Sequence, residues 1–104
     1  MKDYPQTLEE IEEWLRTELT PDKREKRNIT DEDMQQILRC LHSIAKWYWT
    51  GEEVLGHFLT YVVQNDFIKA STQADGSNVK ALDVYARFLY NRLPSDWRLK
   101  ALAL

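Results

Sequence analysis

The sequence is poor in the residues that many folds and many chemistries depend on. Its 104 residues include one cysteine, three glycines and three prolines. A lone cysteine, Cys40, closes no internal disulfide, so a disulfide-stapled domain is excluded and a reducing, cytoplasmic setting is expected. So little glycine and proline argues against an all-β chain, which turns roughly every ten residues. No stretch approaches the apolar run of about 18 residues that spans a membrane. The opening Met1-Lys2-Asp3-Tyr4-Pro5 has no apolar core, so no secretory signal is expected. There is no glycine-rich phosphate loop, no internal repeat and no low-complexity tract.

What is present describes a folded chain. Hydrophobic residues make up 43% and charged residues 30%, which suits a small packed domain and not a disordered one. One domain over residues 1–104 is expected at this length. The charge is uneven. Residues 1–33 hold eleven acids against six bases, a net of −5, while the remainder carries +2. An acidic N-terminal third disfavours sequence-blind binding to nucleic acid or anionic lipid, which needs a basic face. It suits a basic protein partner, or solubility alone.

Periodicity and capping chemistry predict an all-α fold, a compact bundle of four main helices plus a short C-terminal fifth. Thr7-Leu8-Glu9-Glu10 fits a capping box. Leu8, Ile11, Trp14 or Leu15, and Leu19 then recur at helical spacing up to a stop at Pro21, giving a helix over 7–19. Residues 21–30 are polar and read as an exposed connector. Thr30 with Asp33 opens a helix over 31–49 whose stripe is Met34, Ile37, Leu38, Leu41, Ile44 or Ala45, and Tyr48. Thr50-Gly51-Glu52-Glu53 reads as a break followed by a new start, giving a broadly apolar helix over 51–65. Ser71 to Asn78 is the clearest loop by composition. A helix over 78–92 and a short one over 95–102 complete the expectation.

The densest aromatic feature is Lys46-Trp47-Tyr48-Trp49. Neighbours on a helix point about 100° apart, so three consecutive rings cannot share one core. Tyr48 follows the core stripe, which leaves at least one of Trp47 and Trp49 at the margin or outside. Exposed tryptophan is the residue of binding hot spots. Lys46, Trp47 and Trp49, with the acidic face of Glu9, Glu12 and Glu13 for steering, are therefore the candidate partner-binding residues.

Other constellations carry less. Cys40 and His42 are two apart and diverge on a helix, and His57 lies on another, so no metal site is expected. The basic run Lys23-Arg24-Glu25-Lys26-Arg27 could neutralise phosphates, yet Asp22 and Asp31-Glu32-Asp33 flank it and invite internal pairing. A helix-turn-helix at Thr50-Gly51 would lead with Glu52-Glu53, which repel DNA. Glu12-Glu13 sit on a charged helix face, and Asp75-Gly76-Ser77 is turn chemistry. Asp83 and Arg87 form an i,i+4 pair on an otherwise apolar helix. No motif places a nucleophile beside a base. The expectation is a non-enzymatic protein-protein interaction or regulatory module without cofactor or metal, whose partner is another protein or a second copy in a homodimer. A nucleic-acid-associated regulator using residues 23–27 and a small-ligand-binding bundle stand as alternatives.

Overall fold

Residues 7–104 are described by a computed structural model, and every regular element in them is helical. The Met1–Pro5 segment, read above for a secretory signal, lies outside the described residues. α1 (Leu8–Glu18) opens as its capping chemistry dictates, with Thr7 Oγ1 accepting from the Glu10 amide at 3.2 Å. The connector predicted over 21–30 is instead a helix, α2 (Pro21–Arg27). Thr20 caps it by accepting from the Lys23 amide. Pro21 sits in its first turn, where a missing N–H costs nothing. Asp22 at the start and Lys26 and Arg27 at the end complement its dipole. The proline that stops α1 also starts α2. Asn28, left-handed at φ 56°, closes the helix and turns Ile29 into the core.

α3 (Asp31–Thr50) begins on a complete capping box. Thr30 Oγ1 accepts from the Asp33 amide at 3.1 Å, and Asp33 accepts from the Thr30 amide at 3.0 Å. Gly51 ends it at φ 71°, a conformation that favours glycine. The helix predicted over 51–65 starts later, as α4 (His57–Val63). Glu52 to Gly56 are not helical, so Glu52 and Glu53 open nothing. A non-helical run covers more distance per residue than a helix. It carries the chain off the end of α3 while Leu55 packs on the core and Val54 stays in solvent.

The predicted loop from Ser71 also gives way in part to a helix, α5 (Phe67–Gln73). Asn65 at φ 61° makes the turn, and Asp66 caps the helix by accepting from the Lys69 amide at 3.1 Å. A local cap and the burial of Ala70 prevail over polar composition. The helix predicted over 78–92 begins as a tight 3-10 turn, Asn78–Ala81, and continues as α6 (Leu82–Arg92). α7 (Trp97–Ala101) lies inside the predicted 95–102. The described residues thus hold seven α-helices and a 3-10 turn, where four main helices and a short fifth were expected. The difference comes from short, separately capped helices that periodicity over a long window does not resolve.

α1 packs on α3, and α4 takes α5 and α7. The core is one cluster, with Ile11 and Leu15 of α1, Leu41 and Ile44 of α3, Val62 of α4 and Phe88 of α6 fully buried. Trp14 meets Phe88 edge-on at 5.3 Å between centroids, and Phe58 meets Tyr85 at 5.5 Å. Two polar devices fix the arrangement. The buried Tyr85 hydroxyl donates to Asn78 Oδ1 at 2.5 Å, which satisfies both groups. An ion chain joins three helices: Glu18 of α1 to Arg87, Arg87 to Asp83 at 2.8 Å, and Asp83 to Arg27 of α2 through two bonds at 2.8 and 3.0 Å. Burial raises the Asp83 carboxyl, but the two guanidiniums outweigh it and hold it below the usual carboxylate range.

Candidate functional site

The last turn of α3 separates the aromatic residues by the helical step. Trp47 is 6% exposed and belongs to the core, Tyr48 is buried beside it, and Trp49 is 39% exposed. Trp49 meets the Tyr48 ring edge-on at 4.8 Å. Lys46 is exposed and lies 3.7 Å from Glu53. Of the acidic residues, Glu9 and Glu13 point into solvent, whereas Glu12 pairs with Arg16 at 3.0 Å. These six residues are not gathered at one place: the aromatic group ends α3 and the carboxylates lie along α1.

The structure brings α7 to the Tyr48–Trp49 end. The Tyr48 hydroxyl donates to Asp96, and Lys100 Nζ donates to the Tyr48 carbonyl at 2.9 Å while lying 4.6 Å from the centre of its ring. One face of α7 is core, with Trp97 and Ala101 buried. The opposite face has no such cover. Leu99 is 70% exposed, Leu102 beyond the helix end is 81% exposed, and Tyr90 of α6 is 49% exposed. The Arg98 guanidinium stacks over Tyr90 at 4.8 Å and over Trp97 at 5.6 Å. Among the described residues, no carboxylate lies within 4 Å of the Arg98 or Lys100 cation. Beside this face is a cleft of about 370 Å³ lined by Val63, Gln64 and Asn65 of the α4 end, Tyr90, Trp97, Arg98, Ala101 and Leu102.

Sequence reasoning named Trp47 and Trp49 together and expected a short helix over 95–102, but it gave that helix no part in binding. The signal was there. In Trp-Arg-Leu-Lys-Ala-Leu, residues 97 and 101 make one i,i+4 stripe and residues 99 and 102 make an i,i+3 stripe on another side. A helix this short with two apolar stripes cannot bury both.

The remaining candidates lie in structural settings. In the basic run, Arg24 pairs with Asp31 at 2.6 Å, Lys26 with Asp22 at 3.2 Å, and Arg27 with Asp83. Among the described residues, no group of three His, Cys, Asp or Glu side chains is placed to hold a metal. Burial pushes the Cys40 thiol up and the Tyr85 hydroxyl well up. A second cleft, of about 660 Å³, lies between α1, α2 and α3 over Leu15, Leu19, Met34 and Leu38, with Arg16 and Arg24 on its rim. No helix among the described residues is long and apolar enough to cross a membrane. A scan against protein-family models and searches of curated proteins and of solved structures returned no match to this chain.

Proposed function

We propose that this chain is a non-enzymatic protein-interaction module whose docking face is α7 with the Trp49 end of α3. The observation that carries the reading is the pair Leu99 and Leu102, both left in solvent on a helix whose other face is core. Single exposed leucines are ordinary. Here Leu102 borders a cleft that Tyr90 also lines, and the residues on either side of Leu99, Arg98 and Lys100, hold their cations over aromatic rings. Aromatic residues and arginine around an apolar centre make up the usual composition of a binding hot spot.

The test is affinity capture from native lysate with the wild-type chain and with Leu99→Ser/Leu102→Ser, each checked by circular dichroism. The expected outcome is a set of proteins retained by the wild type and lost by the folded double variant. Equal capture by both would overturn the reading.

The 660 Å³ cleft favours a second reading, small-ligand binding, since pockets of this size hold drug-sized molecules. Screening a fragment library by methyl NMR at Leu15, Leu19 and Leu38 tests it. No perturbation of those methyls rejects it.

A further inference from the structure

We infer that the occupant of the α7 face is α1 of a second copy of this chain, with Leu8 entering the 370 Å³ cleft and Glu9 and Glu13 meeting Arg98 and Lys100. The inference rests on the protein-binding reading and names the partner. Charge is its basis. The cations on the α7 face have no acidic partner among the described residues, so two α7 faces would repel if they docked on one another. The complement they require is an acidic helix with an apolar anchor, and α1 is one. Glu9, Glu10 and Glu13 are exposed, and no cation among the described residues lies within 4 Å of any of them. Leu8, in the first turn with Glu9 and Glu10 and one turn before Glu13, is 41% exposed. The exposed carboxylates lie beside an exposed leucine in α1, and the exposed cations lie beside exposed leucines in α7.

Arg98 and Lys100 are also pre-positioned. Stacking on Tyr90 and Trp97, and on Tyr48, restricts two side chains that would otherwise lose rotamer freedom on binding. An association that rests on exposed charge is screened by salt over a Debye length of about 8 Å at physiological ionic strength.

Sedimentation velocity of the full chain, across a wide range of concentration at low and high salt, reads this directly. The expected result is a mass that rises above the monomer with concentration at low salt and falls back at high salt. Arg98→Glu alone and Glu9→Lys/Glu13→Lys alone each weaken association by roughly tenfold or more, and an equimolar mixture of the two regains it. Circular dichroism confirms that each variant is folded, and Leu8→Ser supplies an independent break should Arg98→Glu disturb α7. A wild-type chain that stays monomeric throughout overturns the inference. So does association that strengthens with salt, which indicates apolar packing of α7 on α7, and so does a mixture that fails to recover. A monomeric chain that still loses lysate partners with Leu99→Ser/Leu102→Ser overturns the second-copy partner alone and leaves the binding reading standing.

Discussion

At its N-terminal end α3 starts inside a closed polar knot, whereas at its C-terminal end it meets a surface with polar and apolar groups to spare. Asp33 accepts from the Thr30 amide, from Ser77 Oγ at 2.6 Å and from Lys80 Nζ at 3.0 Å, and Lys80 also donates to the Asn28 carbonyl at 2.7 Å. Here one carboxylate ties the start of α3 to the chain that leads into α6. At the other end Trp49 is half-exposed, Leu99 and Leu102 stand in solvent, and Arg98 and Lys100 rest on rings in place of carboxylates. Polar chemistry that is fully paired within the chain holds the fold. Apolar area in solvent at Leu99 and Leu102, and cations that no carboxylate among the described residues meets within 4 Å, are available for something outside it. If that division is right, substitutions at the first end act on stability, and those at the second act on association.

The two tryptophans at the open end should separate most. Trp47→Ala is expected to destabilise the chain by about 3–5 kcal/mol, as for a large ring removed from a core. Trp49→Ala should cost less, about 1–2 kcal/mol, because the residue is 39% exposed in the folded chain. Denaturant unfolding at constant m-value measures both. Equal losses would place Trp49 in the core and remove it from the docking face.

At the closed end, Asp33→Ala leaves the Thr30 cap in place but removes the return bond of the capping box and two side-chain partners together. A hydrogen bond is worth about 1 kcal/mol, and one to a charged group about 1.5 kcal/mol or more. Partial exposure of Lys80 reduces the second figure, and a total loss of about 2 kcal/mol is expected. A loss below about 0.5 kcal/mol would show that the knot is incidental.

The same end sets the acid limb of stability. Ser77, the Thr30 amide and Lys80 hold the Asp33 carboxyl far below the usual carboxylate range, and Arg27 and Arg87 outweigh burial to lower Asp83. Both groups have folded pKa values below their unfolded ones. Their stabilisation is therefore complete above about pH 5, begins to fade as pH falls through about 4, and is gone below the folded values. Unfolding midpoints measured from pH 7 to pH 2 should fall on that limb, and Asp33→Asn should flatten it. An unchanged slope in the variant would assign the limb to other carboxylates.

The sequence disclosed the closed end better than the open one. Thr30 and Asp33 announce their capping box by spacing, and the Asp83–Arg87 pair follows from i,i+4 geometry. These are local rules, and the structure obeys them. Ser77 and Lys80 on Asp33, and Arg27 and Glu18 on the Asp83–Arg87 pair, join residues 44 to 69 positions apart. No spacing rule reaches that far. α2 and α5 stayed hidden because each is seven residues long with little or no buried apolar stripe, so the period that reveals long helices is absent. Of the proposed binding face, the helical step alone placed at least one of Trp47 and Trp49 at the margin of the core or outside it, without saying which. Arg98 and Lys100 did not follow from it, since their stacking on Tyr90 and Tyr48 depends on where α7 docks.

The smallest expected effect on stability is the sharpest test of the comparison. Leu99→Ser/Leu102→Ser removes two large apolar side chains, which in a core would cost several kcal/mol. Here those side chains are mostly hydrated in the folded chain as well as the unfolded one, so little transfer free energy is lost. The change should stay within about 0.5 kcal/mol for each site. Helix propensity contributes a few tenths at Leu99, since serine is a poorer helix former than leucine. Association, by contrast, should fall below detection in sedimentation, because the apolar centre of the docking face is gone while its cations remain. A double variant that unfolds at markedly lower denaturant would mean that Leu99 and Leu102 hold α7 on the core, and the two ends of α3 would then both serve the fold.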